Sequence, residues 1–467
     1  MTRMYPAQST PREERGWPAH AADGWLWGWT GTLEGWALFL FVFGAMFLNG
    51  SNQQRILGIV LCGVAFAKCA RSPRQAARLL LPIPPELCCY AAWVLWAGLS
   101  GPFVARSLSG FWSDYLVVLQ MLGMVTAVYI VLRFRPQALG GALLAIVGGG
   151  LIQAGAVFSG LGSLVGALAS EATSGATANR NGLGFFMVWS ILGLLLLLGF
   201  AGRLRKWAVA TSLLLLPAFV YVLFVSGSRK SFMAVLFLLV SWALCASSLH
   251  HGLQGMIRRI ALFLIALSLL SASLPFITER TNLGVRFASL LAKGDTLTDM
   301  AETDGRAEMY RVGLDLVLKH PISGVGLSQY ALYYEGGTYS HSDYIEPLAA
   351  TGLPGFFLYH AFYFCILIRT MRLLSKARDA MVRYRLKIIA MGTLTIMLIG
   401  LGVPHYANGT VFVLLSIFSV YSVAVDHELS RLRAMVPNTV MRGWGAQWRF
   451  RQRPGSGSIA HALSRRS

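Results

Sequence analysis

Residues 182–200 read GLGFFMVWSILGLLLLLGF, nineteen residues without one charged side chain. As an α-helix, such a run can cross the hydrocarbon core of a bilayer, which takes about 20 residues. Similar runs recur between residues 32 and 424, and the whole chain is 55% hydrophobic and 13% charged. Ordinary soluble domains carry about 25% charged residues. The sequence therefore predicts an all-α fold of the polytopic membrane class.

The apolar runs predict about twelve transmembrane helices. The predicted spans are 32–49, 55–70, 83–100, 115–132, 138–158, 183–200, 207–224, 231–249, 260–275, 353–368, 387–402 and 408–424. They divide the chain into five parts: an N-terminal tail (1–31), spans 1–9 (32–275), a large external loop (276–352), spans 10–12 (353–424) and a basic C-terminal tail (425–467). Because the other connections are short, we expect the one long loop, between spans 9 and 10, to carry function.

Basic residues are distributed unevenly over the two sides of this topology. The chain has 40 Lys and Arg against 20 Asp and Glu, a formal net charge of +20. With an even number of spans both tails lie on one side, which holds 28 of the basic residues, while the side of the large loop holds 11. Since loops rich in Lys and Arg stay in the cytoplasm, both termini are predicted to be cytoplasmic. The excess charge then reflects topology and contact with anionic membrane lipids, and no nucleic-acid partner is expected.

The sequence contains little that would hold a cofactor or a metal ion. Its six cysteines all fall inside predicted spans without metal-ligand spacing, so we expect neither a disulfide nor a zinc site. It has no Gly-rich loop ending in Lys-Ser/Thr for nucleotide phosphates, no Gly-x-Ser-x-Gly elbow and no paired aspartates of the metal-dependent transferase type. Chemistry at the outer face would therefore need a substrate that arrives through the membrane already activated.

Positive side chains lie on the external side at the predicted starts of two spans. Arg180 precedes the run quoted above, and Arg229 and Lys230 lie in the short hairpin Ser226–Ser231. A lone Arg at a helix end is often only an anchor that reaches the headgroups. A cation is unfavourable for the dipole at a helix N-terminus, however, and the free N–H groups there bind anions. Two such starts with cationic side chains favour a doubly charged ligand, and a pyrophosphate fits.

The large loop contains a predicted helix, a tyrosine-rich segment and one histidine suited to proton transfer. The helical pattern runs from Arg306 to Lys319 and stops at Pro321. Five tyrosines follow, which are either interfacial belt residues or a platform for sugar rings: Tyr330, Tyr333, Tyr334, Tyr339 and Tyr344. His341 lies near Glu346, just ahead of the next span. A lone histidine is often structural, but its ordinary pKa also suits a general base.

Four motifs in order make the chain resemble the O-antigen ligase and polysaccharide polymerase superfamily of bacterial inner membranes. They are Asn179-Arg-Asn181, Ser226-Gly-Ser-Arg229, Gly305-Arg306 leading to His320-Pro-Ile-Ser-Gly-Val-Gly326, and His341-Ser342 followed after nine residues by Gly352-Leu-Pro-Gly355. The last is similar to the superfamily's His-Asn/Ser…Gly-x-x-Gly signature. The resemblance covers residues 175–425.

This resemblance implies a metal-independent, inverting glycosyltransferase without a cofactor, in the inner membrane and with a periplasmic active site. The donor would be a glycan linked to undecaprenyl pyrophosphate and held by Arg180 and Arg229. His341 would take the proton from the acceptor hydroxyl, and Lys230, Arg306 and Glu346 are candidates for supporting roles. The acceptor would be lipid A-core in a ligase.

Two alternatives stay open at this point. In a polymerase of the same superfamily the acceptor would be another glycan repeat unit, and the motifs do not separate the two. A transporter of lipid-linked or anionic solutes would use the same Arg residues to bind its substrate. The chain shows no duplicated half, and Lys68 is the clearest charge inside a predicted span, which favours the enzyme.

Overall fold

The computed structural model describes residues 28–47, 52–159, 180–245, 305–406 and 408–435. Within these ranges the regular structure is helical, without a strand, which confirms the all-α fold. The α-helices are α1 (Leu33–Phe47), α2 (Asn52–Arg71), α3 (Pro73–Leu80), α4 (Pro85–Val104), α5 (Leu108–Phe134), α6 (Ala138–Phe158), α7 (Arg180–Phe200), α8 (Arg205–Ser226), α9 (Arg229–Cys245), α10 (Gly305–Lys319), α11 (Ile345–Lys376), α12 (Ala380–Gly400) and α13 (Gly409–Met435). Short 3-10 helices cover Gly202–Leu204 and Tyr330–Leu332.

Eight of the described helices are long and apolar enough to cross a membrane: α2, α4, α5, α6, α7, α8, α11 and α13. Helix α1 is apolar but shorter, and α9 and α12 overlap the predicted spans 231–249 and 387–402. The predicted span 260–275, the first part of the large loop and most of both tails lie outside the described residues. The chain is thus a membrane protein, and the number twelve stays a prediction.

The described residues between 28 and 423 form one compact unit. In it, α11 packs along α4, α10 and α12, and α7 packs on α6, α8, α9 and α12. Small residues permit the closest approaches; a Cβ at Gly150 of α6 would overlap the hydroxyl of Ser190 in α7. The end of α13, from Ala424 onward, belongs to a second unit.

A buried ion pair crosses the interior of the first unit. Arg369 of α11 binds the carboxylate of Glu86 in α4 with both terminal nitrogens, Nη2 lying 2.7 Å from Oε2. The Ser419 hydroxyl of α13 also donates to this carboxylate, which is fully buried. Removing one partner of such a pair leaves an uncompensated charge, so these residues fix three helices relative to one another.

Helix α11 is broken near its start, at Gly352. Here φ is 67° and ψ is −174°, so the backbone leaves the helical conformation for one residue. Two residues later comes Pro354, which has no N–H to give to the carbonyl of Ala350. The break thus removes the helical partners of the Ala349 and Ala350 carbonyls, and buried carbonyls need others.

The segment His320–Gly326, hereafter the His-Pro segment, supplies those partners. Three backbone hydrogen bonds join it to the break: Val325 N–H to Ala349 O (2.9 Å), Gly326 N–H to Ala350 O (2.9 Å) and Leu353 N–H to Pro321 O (2.8 Å). The next carbonyl, that of Thr351, accepts from the Trp96 indole of α4 at 2.9 Å. Three consecutive carbonyls at the break, those of residues 349–351, therefore accept hydrogen bonds from outside the helix.

Two glycines allow the backbones to approach this closely. A Cβ at Gly324 would overlap the carbonyl of Ala350, and a Cβ at Gly352 would overlap the carbonyl oxygen of Ile322. Both residues also have a left-handed φ, 64° and 67°, which glycine adopts without strain. Gly324 and Gly352, from two different sequence motifs, therefore both permit the same backbone contact, between the His-Pro segment and α11.

Helix α10 packs against the His-Pro segment, and its bounds confirm the predicted helix. Leu316 is buried against Val325, Tyr330 and Ala349, with Met309 and other apolar side chains packed around them. The Tyr310 hydroxyl donates to the carbonyl of Leu401, after α12, at 2.9 Å. Helix α10 therefore connects the His-Pro segment to the α12–α13 connection.

We predict that Gly352→Ala destabilises the protein by about 2 kcal/mol or more, because the methyl group meets backbone and the residue must keep a left-handed φ. Thermal unfolding of the detergent-solubilised protein measures the change. The matched control is Gly155→Ala in α6, where a Cβ would meet nothing within 4 Å. Equal unfolding midpoints for the two variants would contradict the role given to the break.

Candidate functional site

The two helix starts that carry the predicted anion-binding arginines lie side by side. Helix α9 begins at Arg229, and the Ser228 hydroxyl caps it by accepting from the N–H of Ser231 (3.4 Å). Helix α7 begins at Arg180. One turn later, a Cβ at Gly184 would lie 2.6 Å from Ser231 Oγ. The first turns of α7 and α9 therefore touch, with only a glycine between them.

This arrangement brings the N-terminal ends of two helices, and so the positive ends of two helix dipoles, to one place, which suits an anion. Arg229 is exposed at the first position of its helix. Arg180 is described by its backbone alone, as the first residue of α7. The serine hydroxyls between the two starts are buried and bonded to each other, Ser228 Oγ to Ser231 Oγ at 2.8 Å, so they support the starts and do not face a ligand.

His341 lies in the turn before α11 and has a left-handed backbone conformation, with φ of 57°. For a residue with a Cβ this conformation costs about 1–3 kcal/mol and persists only where the surroundings hold it. The imidazole is half-buried and lies against the ring of Tyr339, with centroids 4.2 Å apart. The turn therefore presents His341 in one strained and fixed conformation.

The residues before His341 are held by Glu346 in the first turn of α11. The N–H of Ser340 donates to its carboxylate at 2.7 Å, and both residues are buried. The Ser342 hydroxyl accepts from the N–H groups of Tyr344 (3.2 Å) and Ile345 (3.3 Å) at the start of the helix. Glu346 thus anchors the turn and has no free access to a substrate.

The residues after His341 are held by Asp343. Its N–H donates to the carbonyl of Gly400 at the end of α12, at 2.7 Å. Its carboxylate accepts hydrogen bonds from two tyrosines of α11 and one backbone N–H: Tyr359 OH (2.9 and 3.1 Å to the two oxygens), Tyr363 OH (3.3 Å) and His405 N–H. Burial raises the pKa of Asp343 to about 8. Two buried carboxylates therefore brace the histidine turn, one on each side.

Two positive charges lie close to His341. Burial, then Lys230 and then Arg306 lower the pKa of the imidazole below its ordinary value of 6.5. Lys230 follows Arg229 in α9, and its ammonium group donates to the carbonyl of Gly402. Arg306 lies in the first turn of α10. His341 is therefore held neutral at physiological pH, in a positively charged setting.

The structure thus brings together His341, Lys230, Arg306 and Glu346 from three parts of the sequence. The tyrosines that follow α10 fall into two groups, those with a structural role and one that lies at the site. Tyr330 is buried and Tyr344 donates to the carbonyl of Met397 (2.9 Å), so both are structural. Tyr333 lies under the guanidinium of Arg106, 3.7 Å from it. Tyr339 is 39% exposed and touches His341, which places an aromatic face at the site.

Asp343 is the residue that sequence reasoning missed as part of the site. It stands two positions after His341, but carboxylates are common in external loops. The available signal was the pair Tyr359 and Tyr363, spaced i, i+4 on one face of an apolar helix, because buried hydroxyls need partners. His405, whose N–H donates to Asp343, is also buried, and burial lowers its pKa to about 4.

A comparison with known protein families found a match over part of the chain. Residues 210–360 match the family model described as O-antigen ligase, which confirms the predicted resemblance to the O-antigen ligase-like superfamily. The matched range contains Arg229, Lys230, Arg306 and His341, whereas Arg180 lies before it. No curated protein matches the chain.

We predict that Lys230→Gln raises the pKa of His341, because one of the charges that disfavour the imidazolium is removed. The pH dependence of the reaction of His341 with diethyl pyrocarbonate, followed by mass spectrometry, measures this pKa since only the neutral ring reacts. The midpoint should lie below 6.5 in the wild type and move up in the variant. Lys319→Gln, an exposed residue paired with Asp315, is the control. A midpoint that stays in place or falls in Lys230→Gln would contradict the arrangement.

Proposed function

We propose that the protein is a glycosyltransferase that moves a glycan from a lipid-linked pyrophosphate to a hydroxyl acceptor at the outer face of the inner membrane. The observation that carries this proposal is the strained, braced His341, kept neutral beside Lys230 and Arg306. It lies within the range that matches the O-antigen ligase family. A neutral histidine in a cationic setting suits a reaction in which an anion leaves as a proton is taken up.

The donor in this proposal is a glycan on undecaprenyl pyrophosphate. Arg180 and Arg229 begin helices whose first turns touch, so backbone N–H groups and guanidinium groups would face the same pyrophosphate. Lys230 and Arg306 bring further positive charge toward His341. These groups would stabilise the charge that develops on the leaving pyrophosphate.

The chemical step is a direct displacement at the anomeric carbon. The acceptor oxygen forms the new glycosidic bond as the bond to the pyrophosphate oxygen breaks, and the electron pair leaves with the lipid pyrophosphate. His341 takes the hydroxyl proton. Attack from the face opposite the leaving group inverts the configuration of the sugar carbon. No metal ion takes part in this scheme, because the arginines and helix starts supply the positive charge.

The acceptor that we propose is lipid A-core, as in a ligase of this superfamily; in a polymerase, the alternative, it would be another glycan repeat unit. The lipopolysaccharide and exopolysaccharide profile of a deletion strain, complemented with the wild type or with His341→Ala, tests this. Loss of long chains from lipid A-core, with polymerised glycan accumulating on the lipid carrier, supports the ligase. Lipid A-core bearing single repeat units, or loss of a secreted polymer with the core unaffected, identifies a polymerase instead. An unchanged profile contradicts the proposal.

We predict that His341→Gln lowers the transfer rate by about 100-fold or more, because general bases contribute about 10²–10⁴. Arg229→Ala should cost a similar factor through loss of leaving-group stabilisation. Arg311→Ala, an exposed Arg paired with Glu308 on α10, is the control and should stay within about twofold, as surface ion pairs contribute little. Glycan transfer is measured in membranes at matched protein level. Full activity of both site variants would overturn the assignment.

A further inference from the structure

We propose that Asp343 is the positioning residue of the site: its buried carboxylate sets the distance between His341 and Lys230. The expected effect of Asp343 on catalysis rests on the proposed function. Its effect on the position of His341 rests only on the observed contacts. His341 and Lys230 come from elements more than a hundred residues apart in sequence, so some third element must fix their separation.

That third element is the connection between α12 and α13. Asp343 is joined to it twice, through its own N–H to the Gly400 carbonyl and through its carboxylate to the His405 N–H. Lys230 is joined to the same connection through the Gly402 carbonyl. Gly400 and His405 therefore hold the histidine turn, and Gly402, which lies between them in sequence, holds the lysine.

The fit around the carboxylate is close. A Cβ at Gly400 would lie 3.1 Å from the Asp343 Cβ, so the connection and the histidine turn have no spare room. On the other side, Tyr359 donates to both carboxylate oxygens and its hydroxyl also contacts that of Tyr363 at 2.9 Å. Asp343 is thus the point at which the turn, α11 and the α12–α13 connection meet.

Positioning, and not charge, is the role that the contacts support. The pKa of His341 responds to burial, Lys230 and Arg306, and the carboxylate of Asp343 is occupied by donors from α11 and the connection. An asparagine can replace these contacts, because its oxygen accepts from the His405 N–H and its amide donates to the tyrosine hydroxyls, which also accept. An alanine replaces none of them.

The test compares Asp343→Ala with Asp343→Asn by two independent measurements in the full-length protein. The first is the rate at which diethyl pyrocarbonate modifies His341, which needs no catalysis. We expect Asp343→Ala to raise it roughly tenfold through local opening of the turn, and Asp343→Asn to leave it within about twofold. The second is glycan transfer. There, Asp343→Ala should lower kcat by about 100-fold with the donor KM unchanged, since small misplacements cost that much.

Two further variants keep the test decisive. Tyr359→Phe removes the hydroxyl that bridges both carboxylate oxygens and keeps the ring; it should lower kcat about fivefold, the equivalent of one hydrogen bond, even if Asp343→Ala does not accumulate. Asp315→Ala, an exposed carboxylate on α10, should change neither measurement.

Wild-type modification rates and transfer in Asp343→Ala would overturn the proposal. So would an Asp343→Asn protein with wild-type modification but no transfer, because the carboxylate would then act through its charge. If the wild type transfers no glycan while the modification rates of the Asp343 variants follow the expected order, the glycosyltransferase assignment fails and the positioning role of Asp343 stands.

Discussion

The exchange of backbone hydrogen bonds at Gly352 is the constraint on which the histidine turn and its surroundings depend. Helix α11 breaks at this residue, and the His-Pro segment supplies hydrogen-bond donors to the carbonyls that lose their helical partners. This arrangement explains why glycines recur in two motifs that lie far apart in the sequence, since each admits the backbone of the other. The short stretch before the break is thereby held as a rigid base for the histidine turn.

Buried carboxylates stabilise that turn. Glu346 and Asp343 lie five and two residues after His341 and bond backbone or hydroxyl donors on opposite sides of it. Burying a carboxylate is unfavourable unless its lone pairs are satisfied, and here the satisfied groups offset the strain of a left-handed histidine. The hydrogen bonds of the two carboxylates therefore stabilise the strained backbone of His341, and the imidazole ring itself is not needed to hold the turn.

Much of this could be predicted from the sequence because it depends on local patterns. Apolar runs predicted the helices and the pattern from Arg306 to Lys319 predicted α10, and both agree with the structure. The four motifs predicted the resemblance to the superfamily, which the family match over residues 210–360 supports. The number of spans and the bounds of the large loop stay predictions, because residues 246–304 lie outside the described part of the chain.

What could not be predicted are contacts between distant residues. Nothing local shows that the Lys230 ammonium reaches Gly402, that the charge of Lys230 acts on His341, or that Tyr359 and Tyr363 face Asp343. Each contact depends on which faces of α9, α11 and α12 meet, and apolar helices with small residues offer several packings. Glu346 shows the same limit: the sequence marked it as a supporting residue, and only the fold shows that it bonds the backbone of Ser340.

The central claim is that the outer-face site transfers a glycan from a lipid-linked pyrophosphate. The most direct measurement uses purified protein in liposomes that contain undecaprenyl-pyrophosphate-linked glycan and lipid A-core, without nucleotide. Glycosylated lipid A-core and free undecaprenyl pyrophosphate are quantified together. The account predicts that both products appear in equal amounts. Movement of the intact donor from one leaflet to the other, with neither product formed, would contradict it and identify a transporter.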